Sequence, residues 1–504
     1  MDPVFDLKAL NSLSAPVRKC AKQLLKVELE NPGPEDRFSD YAALGPLGLA
    51  PGFRARSVDQ LRLLPLYWRL LGSAIPSAHH LDDPQPRCTF QFQIIILALL
   101  GIGEVPQETI NMEPSRLLFS RMLPWVLFLQ EHYASLPRLC HLRKQTEEDI
   151  LCAFLNISLD VVQEDPSLLT TPGLTRIIFR TWALTLDNDS SPPLGRTPPL
   201  PPHLSMYHRG IFTPAHLDEI LEALGGRLEE IPKLVVSTVK RVLRCCRTAR
   251  RAGTTSSLEV DFALWSLGPV RTTLEALEEV IPSLDSMLSR IITGKIIGET
   301  LEELTRNTGP QRSKIVRESP QRSKIVRESL SLTTLLYILA QITTVKRAHL
   351  VAALEQSLLR SIAIFCQTLP TGDSVAPSVM EFFQKILQPC TLFADLHLSL
   401  KAGFIAANDF VDAARLAPRQ AFSAALAAVH DSTAIHDAKA PTGPRESIAL
   451  PAERTARLEK THYRDSPPAS CMTSALCLPF TASTGRCGGR LPSAGPGRSS
   501  SHTF

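Results

Sequence analysis

Residues 231–251 have the sequence IPKLVVSTVKRVLRCCRTARR. Apolar residues recur in it at three- and four-residue spacing, which is the period of a helix that buries one face. The expected buried face carries Val235, Val239, Val242 and Cys246. The stretch therefore predicts an amphipathic helix that starts near Pro232 and runs through Arg251.

The same spacing recurs in segment after segment from about Val17 to Val429, and prolines separate the segments. Aromatic residues make up only 6% of a chain that is 44% hydrophobic, which suits helix-on-helix packing better than β-structure. Helix pairs with short turns and little sequence similarity are typical of armadillo- or HEAT-like arrays. We therefore predict an all-α fold, namely an irregular armadillo/HEAT-like helical solenoid with a disordered C-terminal tail, although no clean period of roughly 40 residues aligns.

Composition divides the chain into predicted parts. Prolines at 192, 193, 198, 199, 201 and 202 favour an extended linker over a helix. From Pro441 onward the sequence is rich in Pro, Ser, Thr, Gly and Arg without a helical stripe, which is a disordered composition. The predicted parts are an N-terminal helix and loop (1–56), the first half of the helical array (57–186), the Pro-rich linker (187–212), the second half of the array (213–430) and the disordered tail (431–504).

One decapeptide is duplicated: PQRSKIVRES occupies 310–319 and again 320–329 without a change. Ten residues turn a helix by about 1000°. The apolar Ile-Val pair of each copy would therefore be rotated by about 80° away from the apolar face of the helix. Pro320 would also break a helix between the copies. We therefore predict a recent insertion, or an artefact of gene prediction, in a tolerant surface loop, with a binding motif as the alternative.

Charge and cysteine content indicate an intracellular protein. The net charge of +4 is small for 504 residues, and the segment after 440, with eight Arg or Lys against four acids, accounts for it. The eleven cysteines are scattered, the start MDPVFDLKAL has no apolar signal region, and the longest apolar run, Ile94 to Ile102, is too short to span a membrane. We expect free thiols, no membrane partner and a cytoplasmic or nuclear location.

The helix at 231–251 also carries the sharpest charge pattern in the chain. Lys240, Arg244, Arg247 and Arg251 recur at i, i+4, i+7 and i+11, within about 60° around the helix. Such a ridge could hold an acidic protein segment, and the alternative is an ordinary solvated face. No aromatic residue interleaves the cations, so nucleic acid is not the expected partner. We expect Arg244→Glu with Arg247→Glu to keep helicity and to weaken binding of an acidic partner.

No pattern points to catalysis or to a cofactor. The chain lacks G-x-S-x-G and H-E-x-x-H, and Gly294-Lys295 lacks the remainder of a phosphate loop. His79-His-Leu-Asp-Asp83 contains four potential ligands, but adjacent histidines rarely face one ion and no second cluster completes the site. We therefore predict no enzyme activity, no cofactor and no metal site.

Four strings, in this order, resemble the helical region of fungal MYND-type zinc-finger proteins: LYWRLLG at 66–72, MLPWVLFLQEH at 122–132, TTPGLTRIIFRTWAL at 170–184 and LGGRLEE at 224–230. The similarity covers roughly residues 60 to 400. It implies an adaptor that ends in a finger of paired cysteines holding two zinc ions. This sequence departs from that pattern, because Cys471, Cys477 and Cys487 have five and nine residues between them and form no C-x-x-C pair. Zinc-dependent binding therefore does not transfer to these residues.

The first functional prediction is a non-catalytic helical-repeat scaffold or adaptor for protein–protein interaction, with acidic partners favoured by the ridge. One alternative is a member of the MYND-type adaptor family whose finger has been lost or misread in this sequence. Another is an unrecognised enzyme in a helical fold, which would require a deep pocket with convergent titratable groups.

Overall fold

A computed structural model describes part of the chain, and that part is helical. The described residues contain no strand, so the predicted all-α class is confirmed. The predicted tail, 431–504, lies outside them. The described residues are 2–26, 57–76, 81, 86–105, 109–136, 146–187, 200–207, 210–252, 258–308 and 319–368, with single positions and short runs between 379 and 407.

Helices follow one another along the described chain. Short 3-10 helices lie at Pro3–Phe5, Leu7–Ser12, Tyr133–Ser135 and Pro166–Thr170, and a π-helical turn lies at Phe383–Leu387. The α-helices are α1 (Ala15–Lys26), α2 (Ser57–Leu70), α3 (Pro86–Gly103), α4 (Met112–His132), α5 (Thr146–Glu164), α6 (Leu174–Asp187), α7 (Leu200–Met206), α8 (Pro214–Ala223), α9 (Glu230–Arg251), α10 (Leu258–Leu267), α11 (Val270–Leu277), α12 (Leu284–Ile291), α13 (Gly294–Thr308), α14 (Ser319–Val345), α15 (Ala348–Leu354) and α16 (Leu358–Thr368).

Buried apolar side chains form one continuous core that extends from Phe5 to Ala407. Among the described helices, each strongly packed pair joins helices no more than four positions apart in chain order. Helix α6 packs on α8 and α9, so the two predicted halves of the array share this core across the predicted linker. Packing between near neighbours is expected of a helical array, while the armadillo/HEAT-like repeat itself stays a prediction.

The ends of α8 follow signals that are visible in the sequence. The Thr213 side chain accepts a hydrogen bond from the His216 backbone N–H, and the His216 ring accepts one from the Thr213 N–H. This capping box lies directly before Pro214, which occupies the first helical turn. Gly225 and Gly226 follow the helix with φ of 81° and 79°, a backbone region that a larger side chain would strain.

Helix α8 in turn holds the start of α6. The Glu219 carboxylate accepts hydrogen bonds from the Gly173 N–H at 2.6 Å and from the Arg176 N–H at 3.3 Å. These are N–H groups that a helix start cannot satisfy within itself, and the helix dipole favours an anion there. The Arg176 guanidinium also contacts Glu222 at 2.5 Å. The start of α6 is therefore fixed by two carboxylates from one neighbouring helix.

Two prolines lie inside continuous helices. The sequence predicts a break at Pro65 and a pair of helices around Pro124, whereas α2 and α4 run through both positions. A proline removes a helical hydrogen bond and costs about 3 kcal/mol. In both helices its neighbours are deeply buried, as at Leu66 in α2 and Trp125 in α4. Burial of the flanking side chains is enough to offset that cost.

The predicted extended linker, 187–212, is wrong in one part, because residues 200–206 form helix α7. Its prolines at 201 and 202 fall in the first turn, where backbone N–H groups have no partner in the helix. His203 is fully buried, and its Nε2 lies 2.9 Å from the Ser158 hydroxyl on α5. Tertiary contacts therefore fold a segment that composition alone assigns to an extended chain.

The second copy of the duplicated decapeptide is not the loop that the sequence predicts. The second copy, 320–329, is helical and forms the first part of α14, which corrects that prediction. Pro320 sits in the first turn of α14, so it starts a helix where it was expected to break one. Residues 310–318 of the first copy lie outside the described residues.

A close helix crossing joins α13 to α15 next to the C-terminal end of α12. A Cβ added at Gly294 would lie 1.6 Å from the His349 carbonyl oxygen, and one at Gly298 would lie 2.6 Å from the Gln356 Cβ. The Gly294 N–H donates to His349 Nδ1 at 3.4 Å, and His349 Nε2 lies 3.1 Å from the Ser289 hydroxyl of α12. Since Nδ1 accepts, Nε2 carries the proton and donates to Ser289. One neutral imidazole therefore connects three helices.

Candidate partner-binding surface on helix α9

Helix α9 is built as the sequence predicts. Val235, Val239, Val242 and Cys246 are each 0% exposed, and they pack into the common core. The helix contacts α6, α10, α12 and α13. A helix buried along one face between several neighbours is held at a fixed position, so its opposite face can present side chains in a defined arrangement.

A hydrogen-bond chain fixes α9 to α6. The Trp182 indole N–H of α6 donates to the Thr238 hydroxyl at 3.1 Å, and that hydroxyl donates to the Leu234 carbonyl at 2.9 Å. Arg241 donates to the Thr185 carbonyl at the end of α6. Trp182 and Thr238 are both buried, so these polar groups depend on one another rather than on water.

The solvent face of α9 carries an exposed line of polar side chains, namely Lys233, Ser237, Lys240, Arg244, Thr248 and Arg251. We call Lys240, Arg244 and Arg251 the basic ridge. At about 1.5 Å per residue the ridge is roughly 16 Å long. Three of the four residues that the sequence predicts for partner binding therefore lie together on the exposed face.

The fourth predicted residue, Arg247, lies at the edge of that face and turns toward α13. Its guanidinium contacts the Glu299 carboxylate at 2.7 Å and faces the Glu303 carboxylate at 4.0 Å. Its side chain is 41% exposed. Arg247 therefore connects two helices, a role that its spacing along α9 does not reveal.

Arg247 belongs to a group that we call the Arg–Glu cluster: Arg247 and Arg250 from α9, and Glu299, Glu303 and Arg306 from α13. Glu303 is the centre of it, with a side chain only 6% exposed. Its carboxylate lies 3.2 Å from Arg250 and 3.3 Å from Arg306. A buried carboxylate requires such partners, because an unpaired buried charge is costly. The cluster stabilises the α9–α13 contact beside the basic ridge.

Sequence reasoning missed this cluster. The acids of α13 follow one another at Glu299, Glu302 and Glu303, so a single helical face rich in carboxylates is visible in the sequence. The sequence does not show which helix this face contacts, because Arg247 and Glu299 are separated by 52 residues.

An open concavity of about 350 Å³ lies at the start of α9, where that helix faces α12. Met287 and Ile291 provide apolar surface in it. Charged side chains complete its lining, namely Arg227, Glu229, Glu230, Lys233 and Arg290. Lys233 contacts Glu230 at 2.5 Å. Because Lys233 also lies on the solvent face of α9, the concavity is continuous with the basic ridge.

The residues that the sequence considers for chemistry are not assembled into a reactive site in the described part. The described residues contain no group of three His, Cys, Asp or Glu that could hold a metal ion. In the His79–Asp83 segment only Leu81 is described. The Ser158 hydroxyl lies 2.9 Å from His203 Nε2, as in a nucleophile–base pair, and both residues are 0% exposed. Cys152, Cys245 and Cys246 are free thiols, and burial raises the pKa of Cys152.

Strings that carry the resemblance to MYND-type proteins lie at helix contacts. The Trp125 indole donates to the Leu71 carbonyl at 3.1 Å, which joins the second string to the end of the first. The guanidinium of Arg121, just before the second string, lies 3.9 Å from the centre of the Trp68 ring. Trp182, in the third string, donates a hydrogen bond to the Thr238 hydroxyl of α9. The aromatic residues of these strings thus have a structural role in packing α2, α4, α6 and α9.

Comparison with known proteins returned no match: no family model, no curated protein and no solved structure is significantly similar to this chain. The relationship to MYND-type proteins therefore stays a prediction. Within the described part of the chain, no helix has the length and apolar character needed to cross a membrane.

Proposed function

We propose that this protein is a non-catalytic helical scaffold or adaptor, with the near-neighbour packing of an armadillo- or HEAT-like array, that binds acidic segments of other proteins. The observation that supports the proposal is the basic ridge. Lys240, Arg244 and Arg251 are exposed in line on a helix whose opposite face is fully buried. Cations held at fixed spacing on a rigid helix present a charge pattern that is complementary to an anionic partner.

A protein partner is favoured over nucleic acid by the composition of this face. The uncharged exposed positions on this face of α9 are Ser237 and Thr248, and neither can stack on a base. The ridge is also short, at roughly 16 Å, and acidic residues of α13 lie along one side of it. A polyanion that requires many phosphate contacts would meet the Glu299 carboxylate there. A short acidic segment of a protein avoids them.

Affinity capture tests this function. The tagged full-length chain is incubated with an extract of its source organism at low salt, and bound proteins are identified by mass spectrometry. Lys240→Glu/Arg244→Glu reverses two charges of the ridge, and Lys8→Glu/Lys19→Glu reverses two exposed charges outside α9 as the matched control. We expect wild type and control to capture the same acidic proteins and the ridge variant to lose them. Equal capture by all three chains would refute the proposal.

A further inference from the structure

We infer that the segment bound by the basic ridge is an extended acidic peptide that carries one large apolar side chain, and that this side chain enters the concavity between α9 and α12. The inference rests on the proposed function and adds to it the length, charge and anchor of the ligand. It follows from the lining of the concavity, the charges at its rim and its continuity with the ridge.

The lining of the concavity suits an apolar side chain. Met287 and Ile291 of α12 offer apolar surface, and Met287 is only 8% exposed, so it forms the floor. The volume of about 350 Å³ is at the small end of ligand sites. It can admit one side chain of a partner while the partner's backbone stays outside. Methionine adapts its shape readily to an inserted group.

The rim of the concavity favours an anionic ligand. Arg227 and Arg290 are exposed there, and Lys233 is the third cation. One of the two acids, Glu230, is already engaged by Lys233 at 2.5 Å. Three cations against two carboxylates leave the rim with a positive balance. A purely apolar ligand would gain nothing from these charges, whereas an apolar residue flanked by acids is complementary to both floor and rim.

The spacing along α9 sets the length of the ligand. Lys233 is about two helical turns before Lys240, or about 10 Å, and Arg251 is about 27 Å from Lys233. An extended chain advances about 3.3 Å per residue. About eight residues therefore reach from the concavity to Arg251, with acidic residues placed against Lys240, Arg244 and Arg251. A helical ligand would need roughly twice as many residues.

Fluorescence anisotropy with synthetic peptides and the full-length chain tests this inference. The probe is a labelled decapeptide of Ser and Glu with a single N-terminal Phe, and its partner peptide has Ala in place of the Phe. Ile291→Ala reduces the apolar surface of the concavity, and Ile75→Ala is the matched control, because Ile75 is a partly exposed isoleucine elsewhere in the chain. Circular dichroism verifies that each variant is folded.

We expect the Phe peptide to bind wild type about tenfold more tightly than the Ala peptide. Ile291→Ala should abolish most of that difference, Ile75→Ala should preserve it, and Lys240→Glu/Arg244→Glu should weaken both peptides about tenfold. If the two peptides bind equally and both depend on the ridge, the anchor is overturned and the proposed function stands. If neither peptide binds, while wild type still captures acidic proteins that the ridge variant loses, the extended acidic ligand is overturned. If Lys240→Glu/Arg244→Glu and Ile291→Ala bind both peptides as tightly as wild type does, both proposals fail.

Discussion

The Arg247 guanidinium of α9 contacts the Glu299 carboxylate of α13 at 2.7 Å. In the sequence Arg247 shares one helix face with Lys240, Arg244 and Arg251, but this contact gives it a role in helix packing. Lys240, Arg244 and Arg251 lie on the exposed face of α9, and Arg247 joins a cluster centred on the buried Glu303. A test of partner binding should therefore leave Arg247 in place, because its reversal would disturb the helix contact as well as the surface charge.

Reversal of Arg247 is expected to destabilise the protein. Arg247→Glu would place a third carboxylate beside Glu299 and Glu303, and we expect it to lower the free energy of unfolding by about 1 to 2 kcal/mol. Lys240→Glu, an exposed reversal on the same helix, should change it by less than about 0.5 kcal/mol. Urea unfolding followed by circular dichroism measures both. Equal stability of the two variants would show that the Arg–Glu cluster contributes nothing to the α9–α13 contact.

The hydrogen bond between Trp182 and Thr238 is expected to contribute to the α6–α9 contact. Trp182→Phe keeps much of the buried ring but leaves the Thr238 hydroxyl without its donor, so we expect a loss of about 1 to 2 kcal/mol. A double-mutant cycle with Thr238→Val isolates the pair and should give a coupling energy of about 1 kcal/mol. A coupling energy near zero would mean that only ring packing connects the two helices.

The α13–α15 crossing is expected to tolerate no side chain at Gly294. Because a Cβ there would overlap the His349 carbonyl oxygen, Gly294→Ala must displace backbone, and we expect a loss of about 3 kcal/mol or more. Gly268→Ala is the matched control, since its Cβ would come no nearer than 3.3 Å to Leu330 and should cost about 1 kcal/mol or less. Thermal unfolding compares them. A Gly294→Ala protein as stable as the control would contradict the close crossing.

His349 is expected to make stability depend on pH. Burial, and secondarily the nearby Lys346 ammonium, hold the pKa of His349 below its ordinary 6.5. The unfolded chain therefore binds the proton first as pH falls, and stability decreases from about pH 6.5 down to the lowered folded pKa. His349→Gln should flatten the loss of unfolding free energy between pH 7 and 5, and Lys346→Gln should reduce it in part. The same pH dependence in wild type and His349→Gln would exclude this role.

Local signals in the sequence predict much of this fold. The apolar stripe through Val235 and Val239 predicts α9, and Thr213 with Pro214 predicts the start of α8. Both signals are local, because a helix cap and the spacing of buried residues along a helix involve residues that are close in sequence. The helical class follows from many such stripes. These features need no knowledge of which helices meet.

Features that depend on contacts between residues far apart in the chain do not follow from local sequence signals. Pro65 lies inside a helix because its neighbours are buried, and residues 200–206 fold because His203 reaches α5. Helical spacing places Lys240, Arg244 and Arg251 on one face, but the engagement of Arg247 depends on a helix 52 residues away. Helical periodicity places a side chain on a face, and only the tertiary arrangement decides whether another helix occupies that face.

Site-specific photo-crosslinking tests the central claim most directly. A photoreactive amino acid replaces Ser237 or Thr248, which lie exposed between the cations of α9, or Lys19 on α1 as the control. After irradiation in cells of the source organism, we expect positions 237 and 248 to crosslink to acidic segments of other proteins, and Lys240→Glu/Arg244→Glu to remove those crosslinks. Crosslinks no more frequent at 237 and 248 than at 19, or unchanged by the charge reversal, would contradict a partner-binding role for the ridge.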